Sequence, residues 1–259
     1  MNKIFVLILL LSLQSFSQNS FYEIEYVCVR TLNFKVLTND ILYYDVDKKI
    51  SYYKEGNYIK LEEPKLPSEN VVIISDNNTN NKNYIYTLFQ ENIIYDYTSP
   101  FEQYYTYSEN LPEINWKITN ETKNTEGIEL TKATASFRGR NYEVWFSYEY
   151  PIPIGPWKFQ GLPGLIFEVI DLSEPFNYHW QLKKISNKKR VIPFTGKNLK
   201  NVLTIQEFLR NFKEEHMGYS DVVMSRSNIE YVPASVEERE ESFRNYRQLK
   251  REIKYEWER

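Results

Sequence analysis

Two histidines, His179 and His216, and a single cysteine, Cys28, are the only imidazoles and the only thiol in this chain. A hydrolase or transferase needs a nucleophile, a base and a charge-stabilising group held together. The sequence has no Gly-x-Ser-x-Gly elbow, no glycine-rich phosphate loop with a lysine and no His-Glu-x-x-His helix. His179 lies in the strand-like string Asn177-Tyr178-His179-Trp180, and His216 ends a helical pattern, where an exposed or dipole-paired imidazole is ordinary. Glu143, Glu149, Glu168 and Asp171 are numerous enough for a glycosidase pair, which needs two of them facing across a cleft, but a solvated strand face supplies the same acids. Cys28 alternates with Tyr26, Ile24 and Tyr22, which places an inert thiol in a core, and being single it forms no internal disulfide. The expectation is no catalytic residue, no metal and no cofactor. What remains is binding chemistry. Trp157, Phe159 and Leu162 offer apolar surface, while Lys158, Arg138 and Arg140 offer cations for an anionic head group.

Most of those residues belong to one segment, Gly155-Pro156-Trp157-Lys158-Phe159-Gln160-Gly161-Leu162-Pro163-Gly164-Leu165-Ile166. It gathers three of the chain's 8 glycines and two of its 11 prolines, and these are the residues that set unusual backbone geometry. β-Prone stretches flank it on both sides, and Pro163-Gly164 suits the centre of a type II turn. Two readings follow. In the structural one Gly161 and Gly164 permit close backbone passage while Trp157, Phe159, Leu162 and Leu165 plug one end of a sheet. In the functional one the loop is a rigid lip that presents Trp157 and Phe159 to a ligand or partner.

The elements that must hold this segment are strands. Alternating or β-branched runs occur at 22–29, 41–46, 50–53, 57–61, 71–74, 84–89, 93–97, 103–107, 115–118, 128–137, 141–150, 165–171 and 177–185. No helical period interrupts them, which excludes alternating β and α units. Polar clusters at 76–81 and 120–127 read as hairpin loops; the first lacks the acid spacing of a calcium loop. Arg138-Gly139-Arg140 suits a tight connection. Helical spacing comes late, with Thr204 capping Ile205, Phe208, Leu209 and Phe212 over 204–216, and Ser235 opening a capping box for a helix over 236–251. Residues 254–258 alternate as a short strand would. The fold class is mainly β: one large curled antiparallel sheet or an open barrel, with two C-terminal helices.

Residues 1–18 show a basic residue, an apolar run and small residues before Gln18, the pattern of a cleavable secretory signal, and the apolar run is short for a membrane anchor. Residues 19–259 then form one domain, periplasmic or secreted, and not an integral membrane protein after cleavage. The net charge of −3 argues against nucleic acid as a partner. Aromatic residues reach 16%. An aromatic-lined ligand surface, the composition of β proteins and an AT-rich genome each account for that.

The 155–166 segment resembles the signature of the GLPGLI family, envelope proteins of Bacteroidota named after the string from Gly161 to Ile166. The resemblance is strongest over about 115–185, where Asn115-Trp116-Lys117-Ile118, Lys132-Ala133-Thr134, Phe137-Arg138-Gly139-Arg140, Trp145-Phe146 and Ile152-Pro153 fall in the family's order. Leu130 stands where many relatives carry a cysteine, so thiol chemistry there does not carry over. The resemblance implies an envelope role. Three functions follow in order of expectation: a non-enzymatic protein binding an apolar or amphipathic ligand in envelope biogenesis, a module docking an outer-membrane receptor or secreted partner, and a hydrolase.

Overall fold

The computed structural model describes residues 21–31, 35–60, 82–99, 103–187, 199, 201–225, 233–248 and 250–258. The expected signal segment, the strand at 71–74 and the polar cluster at 76–81 lie outside these residues. Thirteen strands form a single sheet. In chain order they are β1 (Phe21–Thr31), β2 (Lys35–Asp45), β3 (Ile50–Lys54), β4 (Tyr58–Lys60), β5 (Tyr84–Leu88), β6 (Ile93–Thr98), β7 (Tyr105–Asn110), β8 (Lys117–Thr125), β9 (Ile128–Phe137), β10 (Arg140–Ser147), β11 (Leu165–Asp171), β12 (Asn177–Asn187) and β13 (Leu203–Thr204). Helices α1 (Ile205–Ser225) and α2 (Val236–Gln248) follow.

The spatial order is β13-β7-β6-β5-β3-β2-β1-β12-β11-β10-β9-β8, with β4 added to the far end of β2. Among the described residues nothing pairs with either end of this order, so the sheet is open rather than a closed barrel. All pairings are antiparallel except the two-residue contact of β13 with β7. β1 sits centrally and pairs β2 and β12 along its length, with Cys28 opposite Thr38 on one side and Trp180 on the other. Its alternation is why: Ile24, Tyr26 and Cys28 point into the main core. Register shifts at Glu25/Tyr26 and Trp145/Phe146 mark bulges that bend the sheet around that core.

Local chemistry fixes the rest. The β9–β10 turn has φ of 53° at Arg138 and 83° at Gly139, the two positive values of a type I′ hairpin turn. The α1 capping box joins the Thr204 amide and hydroxyl to Glu207 at 2.8 and 2.9 Å, with the Glu207 amide returning to Thr204 Oγ1 at 3.2 Å. Ser235 and Glu238 repeat the arrangement for α2. Phe208 stacks on Tyr107 of β7 at 4.4 Å, and Phe212 meets Phe243 at 5.5 Å. A second core thus forms between the helices and the β7 end of the sheet.

Three local expectations are corrected. Residues 120–125 are strand, not loop, because β8 is an edge whose side chains mostly face water on both sides, so no apolar alternation is required of it. Residues 254–258 form no strand; Tyr255 to Glu258 make a turn closed by a main-chain bond at 3.1 Å. Helix α1 runs nine residues past the expected end at 216.

Candidate functional site

The 155–166 segment leaves β10, folds back under the sheet and returns as β11. It is held by its own main chain: the Gly155 amide bonds Phe159 O at 2.8 Å, the Gly161 amide Pro153 O at 3.1 Å and the Ile166 amide Ile154 O at 3.0 Å. Gly161 has φ +93°, a region L side chains avoid. Gly164 lacks the positive φ of a type II turn, which corrects that expectation, and is required for a different reason: a Cβ there would lie 2.0 Å from Ser147 O. Trp157 is left-handed at φ +55°, uncommon for a bulky side chain and tolerated here because its ring is locked between neighbours.

Phe159 is the centre of the packing. Its ring meets Tyr142 at 4.8 Å, Trp157 at 5.1 Å and Trp180 at 5.7 Å, with Trp116 at 6.3 Å and Phe137 at 6.4 Å. Leu162, Leu165 and Ile166 join the same core, and Tyr26 Oη donates to Ile166 O at 2.6 Å. Nothing in this loop is a lip. Trp157, Lys158, Phe159, Leu162, Arg138 and Arg140 are all buried, Trp157 being the most exposed at 6%.

The three cations expected to meet an anionic head group instead meet the protein's own acids and carbonyls. Lys158 Nζ donates to Glu109 at 2.6 Å, Glu252 at 2.9 Å and Tyr107 Oη at 3.1 Å, with Asp96 at 3.5 Å. Arg138 spreads its guanidinium over Glu109 at 2.6 Å, Glu252 at 2.9 Å and Glu256 at 2.8 Å. Burial alone would discharge Lys158, but Glu109, Glu252 and Asp96 outweigh it and hold the ammonium more firmly protonated than usual. Asp96, with burial the dominant influence, is pushed up to about 6. Arg140 donates to Asp171 at 2.7 Å and Phe176 O at 2.8 Å, and caps the end of α2 through Gln248 O at 2.8 Å and Lys250 O at 2.7 Å. Together these side chains clamp the segment after α2 onto the sheet.

That segment lines a partly open cavity of about 400 Å³ between the sheet and the helices. Its sheet side carries Tyr53, Tyr84, Ile85, Tyr107 and Tyr178; the signature contributes Trp157; α1 adds Phe208, Leu209 and Phe212, and α2 adds Tyr246. The wall is not wholly apolar. Asn83, Thr98 and Ser99 line it, as do Arg30, Glu55, Asp96, Arg247, Lys250, Arg251 and Glu252. Arg247 is committed to Glu258, with both nitrogens at 2.8 Å. Glu55 receives Arg30 at 3.2 Å and also Arg251. Sequence reasoning misses Arg30, Lys250 and Arg251; the last two are signalled only by the basic run at the end of α2, which the helix dipole explains equally well, and Arg30 in β1 has no signal.

The remaining candidates lie elsewhere. Glu168 and His179 pair at 2.8 Å outside this cavity, where Lys123 also reaches Glu168. His216 packs against Tyr246 and Phe243. Cys28 is buried, and burial followed by the Asp40 charge pushes its thiol up to about 11, so it is no nucleophile at neutral pH. Among the described residues no group of acids, histidines and cysteines could hold a metal ion, and no helix is long and apolar enough to cross a membrane.

No family model and no curated relative matches the chain. Among solved structures, PNGF-II is similar at a TM-score of 0.49 and 16% identity, over 76% of this chain and 34% of that one; this chain therefore spans about a third of its length. An uncharacterized conserved protein from Thermus thermophilus gives 0.39 and 7% over 72% and 90% of the two chains. A LolA superfamily protein from Nitrosomonas europaea gives 0.30 and 8% over 68% and 89%. Likenesses this distant carry no argument about ligand or activity.

Proposed function

We propose that this protein is a non-enzymatic binding protein that holds a small amphipathic molecule between its sheet and its two helices, and that it is an exported GLPGLI-type protein acting in the envelope. The observation that carries the binding reading is the cavity of about 400 Å³, with an aromatic wall on one side and hydrogen-bonding groups on the other. Small-molecule sites are concave, largely apolar and furnished with a few polar groups, and this volume falls in their usual range. Export and family rest on the sequence pattern at 1–18 and on the 155–166 string.

Binding is favoured over hydrolysis because the acids on the wall are committed. Asp96 and Glu252 serve Lys158, and Glu55 serves Arg30 and Arg251. Docking through the signature loop is not favoured, since Trp157 and Phe159 are buried. Naphthyl probes, neutral and acidic, should bind one per chain, followed by their fluorescence. Leu209→Trp, which projects an indole into the cavity, should abolish that binding while the fold is retained. Failure of every probe to bind, or binding indifferent to the filled cavity, would refute the reading.

A further inference from the structure

The cavity has a cationic corner. Arg30 reaches it from β1, and Lys250 and Arg251 from the segment that follows α2. Arg30 and Arg251 both pair with Glu55, and the buried Asp40 accepts Tyr53 Oη and the Gly56 amide. Arg247 and Glu252, also on the wall, are satisfied by Glu258 and by Lys158 and Arg138.

Lys250 is the distinctive member. Among the described residues its ammonium makes no ion pair; it lies 4.3 Å from the Tyr246 ring and 5.9 Å from the Phe212 ring. Arg251 likewise lies over Trp157 and Tyr178, each at 5.7 Å. Positive charge is thus set against aromatic faces, where cation–π attraction stabilises it only in part. Burial and the neighbouring Arg30 charge bring Lys250 down to about 8, and the same two causes lower Arg251. A largely desolvated ammonium with no ion-pair partner is costly and is ordinarily met by an opposite charge. The corner is also preorganised. Arg140 donates from Nε at 2.9 Å and Nη2 at 2.7 Å to the Lys250 carbonyl, and the Lys250 amide bonds Arg247 O at 3.0 Å.

Resting on the binding reading above, we infer that the ligand is an organic acid, its anionic group seated among Lys250, Arg251 and Arg30 and its apolar body against Trp157, Tyr178 and Phe212. Arg140, expected from sequence to touch the ligand, is instead a positioning residue for Lys250. A carboxylate and a phosphate monoester share this chemistry.

The test compares 1-naphthylacetate and 1-naphthyl phosphate with the neutral 1-naphthaleneethanol, using titration calorimetry at low salt. The acids should bind about tenfold or more tightly than the alcohol, and whichever acid binds better names the head group. Raising ionic strength should narrow that ratio. Lys250→Gln should cut the acid-to-alcohol ratio about fivefold, whereas Lys250→Arg should retain it. In the native protein the ratio should fall as pH rises through about 8, where Lys250 loses its proton while Arg30, Arg251 and Arg247 stay charged; the Arg variant should not show this fall. Equal affinity for acids and alcohol, or a ratio untouched by Lys250→Gln, would overturn the inference and leave the cavity reading standing. Absence of binding by all three probes would overturn both.

Discussion

Replacing Lys158 by Met probes whether the signature's cation belongs to the protein's own framework. Met matches the length of the side chain and leaves no large void, so the cost must come from charge. In the native protein Nζ lies at 2.6 Å from Glu109, 2.9 Å from Glu252 and 3.5 Å from Asp96, and its side chain is fully buried. Removing it leaves Glu109 and Glu252 with Arg138 as the cation in contact, and takes from Asp96 its ion-pair partner. Breaking a buried ion pair from one side costs about 3–5 kcal/mol. For a domain of this size that corresponds to a drop of roughly 6–20 °C in melting temperature. Urea unfolding followed by tryptophan fluorescence at neutral pH reads the loss directly. The pH dependence supplies a second signature. In the native protein Lys158 and then Arg138 outweigh burial and hold Glu252 below its usual value. Without the ammonium Glu252 is held down less, so the variant gains less stability than the native protein as pH rises through the carboxylate range. Its deficit against the native protein should therefore shrink on acidification. Lys158→Met combined with Glu252→Gln should recover part of the loss. A deficit under about 1 kcal/mol, or one constant across pH, would refute the claim that these charges hold the C-terminal segment.

Trp157→Ala should cost about 3–5 kcal/mol in the same unfolding assay, as truncation of a buried aromatic does, because its ring packs on Phe137 at 5.6 Å and Phe159 at 5.1 Å; an unchanged midpoint would restore the exposed-loop reading. Gly164→Ala should lose at least about 3 kcal/mol or fail to fold, since its Cβ would meet Ser147 O at 2.0 Å, whereas Gly161→Ala, whose Cβ would make only ordinary contact with Trp116 at 3.9 Å but at φ +93°, should cost only about 1–2 kcal/mol. Glu168 is held down to about 2, first by the His179 hydrogen bond and also by Lys123. A depressed carboxylate contributes stability that is present above its unfolded pKa and lost as pH falls through the folded value, so Glu168→Gln should cost about 1–2 kcal/mol at pH 7 after screening and almost nothing near pH 2. Equal losses at both pH values would contradict that account.

Much of the architecture is legible because its causes are local. The alternation of Ile24, Tyr26 and Cys28 and the capping pairs Thr204–Glu207 and Ser235–Glu238 are short-range patterns, and each forms the element it predicts. Residues 120–125 of β8 read as loop because an edge strand with both faces in water has no apolar period to display. The site is less legible because its determinants lie far apart in the chain. Arg138 meets partners 29, 114 and 118 residues away, and Lys158 meets them 49 and 94 away. No window of sequence shows that these cations are already neutralised. Arg30 and Lys250 are likewise brought into one cavity by the sheet order and the return of the C-terminal segment, with no shared spacing to announce them.

Native mass spectrometry of the full-length product, purified without detergent from its own envelope, tests the central claim most directly. The account predicts a noncovalent small-molecule adduct, one per chain, that Leu209→Trp eliminates and that proves to be an organic acid after extraction. A bare polypeptide mass, unchanged when the folded protein is incubated with an organic extract of the same envelope, would contradict it.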